Sequence, residues 1–162
     1  MAETLDVTSM LPAKFEPMLK NRFVFAIEGI DMYLIKKAAR PTYTTAEKPI
    51  RWINATRYVA GRTEFGTIDV SLHEAIAPSA SQQVMEWIRL CYESVSGRAG
   101  YADFYKRDCQ IKMLDGPGTV VQQWDYKGCF VTSANFGDVD YESDDLSEIT
   151  MTLRFDNAAL LY

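Results

Sequence analysis

One histidine, His73, bounds the chemistry this chain can do. A Ser-His-Asp or Cys-His arrangement needs a histidine base, and so does any histidine-bearing metal site. His73 stands at the end of an alternating strand pattern beside Glu74, which reads as an ordinary strand-end residue. Asp138, Asp140, Glu142 and Asp144 recur at every second position, as in the first half of a calcium loop. The pattern then breaks: Ser143 occupies the sixth position, which needs glycine, and Ile149 the twelfth, which needs glutamate. A solvated acidic loop, or one that meets a basic partner, accounts for the run better. The three cysteines, Cys91, Cys109 and Cys129, fit no zinc spacing and read as small buried apolar residues. No glycine pattern suits a phosphate or a dinucleotide, and no pair of carboxylates is singled out for glycoside chemistry. The expectation is no catalytic residue, no metal and no cofactor.

The elements that would position any site follow from periodicity. At 162 residues, 48% hydrophobic and 24% charged, the chain reads as one globular domain with a core of its own. Residues 1–21 form a polar arm interrupted by Pro12 and Pro17, and 22–162 form the domain. No signal peptide is evident, and no apolar run is long enough to span a membrane. A net charge of −5 argues against gripping a phosphate backbone. A strand is expected over 22–30, with a hairpin partner over 31–38 turning at Gly29 to Asp31. In 67–72, Ile68, Val70 and Leu72 share one face. In 148–156, Ile149, Met151, Leu153 and Phe155 do the same. A helix should start at Ser79, capped from Gln82, with Val84, Trp87, Ile88, Cys91 and Val95 on one face and Gly97 as its stop. Strands over 109–114 and 120–132 flank a turn at Asp115 to Gly118. Several strands and one main helix make a β-rich α+β domain.

The stretch 40–63 is the odd one. Pro41 and Pro49 argue against a central strand, so it is expected as an extended loop ended by Gly61. Yet Trp52, Ile53, Tyr58 and Val59 are too apolar for free solvent, and such a mixture packs against another surface.

Pro41, Glu47-Lys48, Asn54, Val59-Ala60-Gly61, Phe65, Ile68 and Val70 stand in a familiar order. So do Glu86-Trp87, Gly128, Thr132, Tyr141-Glu142-Ser143-Asp144 and Thr152-Leu153. Through these residues, from about Pro17 to Phe155, the chain resembles the tail tube proteins of contractile-tailed bacteriophages, relatives of the type VI secretion tube protein Hcp. The N-terminal arm and the connection 97–108 depart from that pattern. The resemblance implies a small antiparallel β-sandwich or barrel with one flanking helix, whose subunits close into a hexameric ring. It implies a virion protein, made in the host bacterial cytoplasm. Its rings would stack into a tail tube that conducts DNA and the tape-measure protein, with no sequence-specific binding. Sheath lies outside, baseplate and terminator lie at the ends, and no membrane is involved.

Two surfaces are expected from this. Ring-to-ring contact would use Pro41, Tyr43, Glu47, Lys48, Trp52, Asn54, Tyr58, Val59 and Gly61. The lumen would be lined by Thr67, Asp69, Ser71, Glu148, Thr150 and Thr152, the polar rows opposite the two apolar ones. The alternatives are the tube of a phage-tail-like bacteriocin or secretion machine, a small-molecule-binding β-barrel, and a carboxylate hydrolase.

Overall fold

A computed structural model describes residues 7–162; residues 1–6, the start of the expected arm, lie outside the described residues. The strands in chain order are β1 (Phe23–Ile27), β2 (Ile35–Ala38), β3 (Tyr43–Trp52), β4 (Ala55–Phe65) and β5 (Ile68–His73). After helices α1 (Ala80–Cys91) and α2 (Ala102–Tyr105) come β6 (Arg107–Leu114), β7 (Val120–Asn135), β8 (Glu148–Arg154) and β9 (Asn157–Leu160).

Alternation decides the centre. Ile68, Val70 and Leu72 of β5 are buried, and so are Ile149, Met151 and Leu153 of β8. The two strands pair antiparallel with Ile68 opposite Leu153, Val70 opposite Met151 and Leu72 opposite Ile149. The two apolar rows therefore share one face, and burying such a face is what fixes strand register.

The main sheet runs β1-β6-β7-β8-β5-β2, with β9 also on β7. The 16-residue β7 joins its two halves: its first part pairs with β6 and β9, its last part with β8. Residues from both halves meet in one core, including Phe25, Ile111 and Tyr126 with Val70, Met151 and Leu153. The sheet thus folds over on itself along β7 as an antiparallel sandwich. Among the described residues it does not close into a barrel, because β1 and β2 each have one partner and are not paired to each other.

Gly128 makes the bend in β7. The register slips here: Arg107 faces Cys129 and Cys109 faces Tyr126, so Asp108 stands opposite two residues. Asp108 takes up the slack by accepting from Lys127 Nζ at 2.7 Å and from the Gly128 N–H at 3.3 Å. Gly128 has φ +68°, and a Cβ there would come within 2.3 Å of Asp156 Oδ2. Only glycine meets both demands.

The helix begins as its sequence signals: Ser79 Oγ accepts from the Gln82 N–H at 3.3 Å. A second cap was not anticipated. Glu74 Oε1 accepts from the Ala80 N–H and from Ser79 Oγ, both at 3.0 Å, and Glu74 also bonds the Ser81 N–H and hydroxyl. This carboxylate closes over the positive end of the helix dipole. Val84 and Trp87 are buried beneath it. The expected stop is corrected: α1 ends at Cys91, and Gly97 lies in a later turn with Val95 exposed. Once Tyr92 turns extended and bridges to Ala99, the helical row cannot continue to Val95.

Two further expectations give way. The 31–38 segment is not the hairpin partner of β1: β1 pairs with β6, and β2 pairs with β5. Local turn chemistry at Gly29 suggested the hairpin, but both strands find apolar neighbours farther along the chain. The expected loop at 40–63 is instead largely a hairpin, with β3 and β4 forming a separate two-stranded sheet. Both of its strands are edge strands, where Pro49 is tolerated. Gly61 lies inside β4 and does not end the segment.

Two outcomes test these joints. Gly128→Ala should lower stability by about 1–3 kcal/mol, read as a lower urea midpoint, because an L side chain is strained at that φ. Burial pushes the Glu74 carboxyl up, but its bonds from Ser81, Ser79 and the Ala80 and Ser81 N–H groups outweigh this and hold it below the ordinary value. The cap is therefore complete above 4.5, the ordinary glutamate value, and is lost as the pH falls through the depressed one. Glu74→Gln should flatten that part of the stability-versus-pH curve, measured by thermal melts across pH 3–6, a window of about one to two units around that value.

Candidate functional site

The hairpin is held at its root and bare beyond it. Phe65, the last residue of β4, packs on Phe155 with ring centroids 5.6 Å apart. Phe155 in turn meets Tyr126 at 5.1 Å, and Tyr126 meets Phe25 at 6.1 Å. Tyr126 Oη donates at 3.1 Å to the carbonyl of Ala39, the residue after β2 in the segment that leads into β3. The hydroxyl is buried, so desolvation pushes its pKa well up and keeps it a donor. Both legs of the hairpin are thereby tied to the core.

Past the root, nearly every residue from Tyr43 to Glu64 is exposed, including Trp52 at 64%. Pairing sets the two faces. Lys48 faces Val59, Ile50 faces Arg57 and Trp52 faces Ala55, so these six share one side. Glu47 opposite Ala60, Pro49 opposite Tyr58 and Arg51 opposite Thr56 share the other. A bulge sets Ala46 against Gly61 and Arg62, where a Cβ on Gly61 would come to 3.0 Å from the Ala46 carbonyl. At the tip, Ile53 has φ +45° and is fully exposed beside Asn54.

All the residues expected at a ring-to-ring contact therefore lie on or beside one arm. Tyr43, Glu47, Lys48 and Trp52 are on β3, Tyr58, Val59 and Gly61 on β4, Asn54 in the turn, and Pro41 just before the arm. They do not share one face. Sequence reasoning missed Ile50 and Arg57, which flank Trp52 and Val59; the pairing that would have found them was hidden by reading a loop.

The expected lumen residues are brought together on the solvent face of β5 and β8. Asp69 stands opposite Thr152, Ser71 opposite Thr150 and His73 opposite Glu148. Thr152 Oγ1 donates to Asp69 Oδ1 at 2.8 Å. Thr67 sits one residue before β5 and is exposed. Glu148 forms an ion pair with Lys36, whose hydrogen bond holds the carboxyl below its ordinary value. The row also extends onto β7 through Ser133, opposite Thr152, and Asn135, opposite Thr150, which the sequence reading did not include.

The residues with catalytic types are scattered. His73 Nδ1 is buried and has no hydrogen-bond partner. Cys109 and Cys129 are buried free thiols, and the hydrogen bond with Cys129, then burial, push the Cys109 thiol far up. No cluster of three or more His, Cys, Asp or Glu able to hold a metal occurs among the described residues. The feature left over is an arm with two unpaired edges and two bare faces.

That arm belongs to a known kind of chain. The sequence profile described as T4-like virus tail tube protein gp19 matches residues 19–159. The chain is a member of this tail tube family. No curated protein sequence matches it. Among solved structures, a chain from an extracellular contractile injection system, in the PVC sheath/tube terminator in its extended state, aligns with TM-score 0.75 at 16% identity, covering 93% of this chain and 100% of that one. A chain of the anti-feeding prophage baseplate, 6-fold symmetrised, aligns with TM-score 0.69 at 15% identity over 91% of this chain and 97% of that one. Hcp1 from Flavobacterium johnsoniae aligns with TM-score 0.51 at 13% identity over 86% and 94%. At these identities the likeness is one of fold. As a tail tube protein of phage-like contractile particles, the chain has a structural role.

Trp52 and Trp87 separate arm from core. Trp87 is 1% exposed, donates from Nε1 to the Tyr105 carbonyl at 2.7 Å and lies under the Arg107 guanidinium. Trp87→Ala should cost about 3–5 kcal/mol of subunit stability. Trp52→Ala should change it by less than about 0.5 kcal/mol, since that ring is largely exposed. Denaturant unfolding of the isolated subunit distinguishes them, and a reversed order would place Trp52 in the core.

Proposed function

We propose that six copies of this chain close into a ring and that rings stack into the inner tube of a contractile tail. The observation that carries this reading is the β3–β4 arm: a hairpin rich in exposed aromatics, rigidly rooted, in a chain of the tail tube family. A long bare strand pair is an aggregation hazard unless assembly covers it. Here the arm makes the ring-to-ring contact, through Tyr43, Trp52, Tyr58 and Val59 with their polar neighbours. The six-fold symmetry of the anti-feeding prophage baseplate, which contains a chain of this fold, supports the ring number.

The solvent face of β5 and β8 lines the channel. Its short hydroxyl side chains and Asp69 make a wall with little for nucleic acid to bind, since phosphate affinity rises with each basic contact. DNA and the tape-measure protein pass along it, sheath encloses the tube, and baseplate and terminator bound its ends. The work is mechanical, with no turnover and no cofactor. The chain is made in the host bacterium and ends in the virion.

A second reading keeps the tube and changes the vehicle. Structures of the same fold come from an extracellular contractile injection system and the anti-feeding prophage, which supports reading the tube as part of a particle that injects cargo other than a genome. Nucleic acid content of purified particles separates the two.

Negative-stain images of the purified chain should show six-fold rings or stacked tubes. A strict monomer across a wide concentration range, even when seeded with baseplate, would overturn the assembly. Asp69→Lys should leave tube length unchanged and slow DNA ejection, most strongly at low salt. Glu148 is the weaker probe, because Lys36 already offsets its charge. Equal ejection by variant and wild type would remove this face from the channel.

A further inference from the structure

The fold puts two unlike surfaces at opposite ends of the same strands. The β3–β4 arm leaves the sheet where β2 ends at Ala38 and β5 begins at Ile68. At the far end of β5, the loop 136–147 joins β7 to β8, tied there by the Glu74 N–H to the Ser147 carbonyl at 3.0 Å. The six residues of β5 separate these ends by roughly 20 Å.

Their charges are opposite. The loop holds Asp138, Asp140, Glu142, Asp144 and Asp145 and no basic residue. Among them it exposes Val139, Tyr141 and Leu146. The arm from Lys48 to Arg57 holds Lys48, Arg51 and Arg57 and no acidic residue. On its Trp52 face, Lys48 and Arg57 bracket the exposed Ile50 and Val59. Each surface mixes exposed apolar side chains with charges of one sign.

We infer that the Trp52 face of the arm docks on the 136–147 loop of a second copy of this chain in the next ring. This rests on the stacking reading and names the surface that receives the arm. Apolar side chains supply buried area, and the charges select the partner and exclude arm-to-arm or loop-to-loop pairing. Two different patches at opposite ends form a head-to-tail contact, which repeats without closing. A tube built this way has one basic end, with free arms, and one acidic end, with free loops.

The test uses two exposed charge reversals in the full chain. Lys48→Glu with Arg57→Glu gives an acidic arm; Asp138→Lys, Glu142→Lys and Asp144→Lys together give a basic loop. Each variant alone juxtaposes like charges and should raise the concentration needed for tubes about tenfold or more. Mixed one to one, every arm can find an oppositely charged loop, and tubes of alternating variants should return. Circular dichroism melts matching wild type show that each subunit is folded. Wild-type tubes with unaffected single variants would overturn the pairing, as would folded variants that fail to recover on mixing. If wild type itself forms no tubes, the stacking reading fails first.

Discussion

Everything outward in this subunit depends on one buried line of aromatic contact. Phe25, Tyr126, Phe155 and Phe65 touch in sequence from the outer strand β1 through the bend of β7 to the root of the arm. The Phe25–Tyr126 and Tyr126–Phe155 contacts are edge-to-face, a preferred geometry that adds to their apolar area, and the Phe65–Phe155 pair is tilted. The Tyr126 hydroxyl adds direction by donating to the Ala39 carbonyl. An arm with almost no burial of its own can hold a fixed angle only if its root is fixed. The core does that from both legs.

The same logic explains where the polar bonds fall. Asp108, Glu74 and Lys36 do not sit at a reaction centre; each closes a joint. Asp108 fills the slip beside Gly128, Glu74 closes the N-terminus of α1, and Lys36 ties β2 to β8 through Glu148. These joints lie at the ends and bends of strands, where ladder bonds run out and a donor or acceptor would otherwise be left bare. Perturbed carboxyls in this protein therefore mark architecture.

Much of the centre was legible from sequence, because β5 and β8 carry clean period-two rows and α1 carries its cap. The arm was not. Pro41 and Pro49 read as breakers, and exposed strands show no apolar-polar alternation, since neither face is buried within the subunit. Their residues look placed for a partner that the sequence of one copy cannot display. The pairing of β1 with β6 was equally hidden, because no local signal joins Phe23 to Met113. For the candidate surfaces, residue types pointed to the arm and to the polar face of β5 and β8. The split of the arm into two faces needed the register and the bulge at Ala46.

The hairpin also has a consequence in time. Its strands are neighbours in the chain and need only a short turn at Ile53 and Asn54 to meet, so local zipping is a matter of microseconds on the usual scale. The body must bring Phe23 to Met113 across most of the chain, and such non-local closure is slow. During synthesis the arm is complete long before β6 to β8 exist to anchor it. A newly made chain thus presents the arm's exposed aromatics on an unfinished base. Crowded ribosomes translating the same message would put such arms side by side, which makes the lysine and arginines around Trp52 a safeguard: they repel their own kind until a folded subunit is ready.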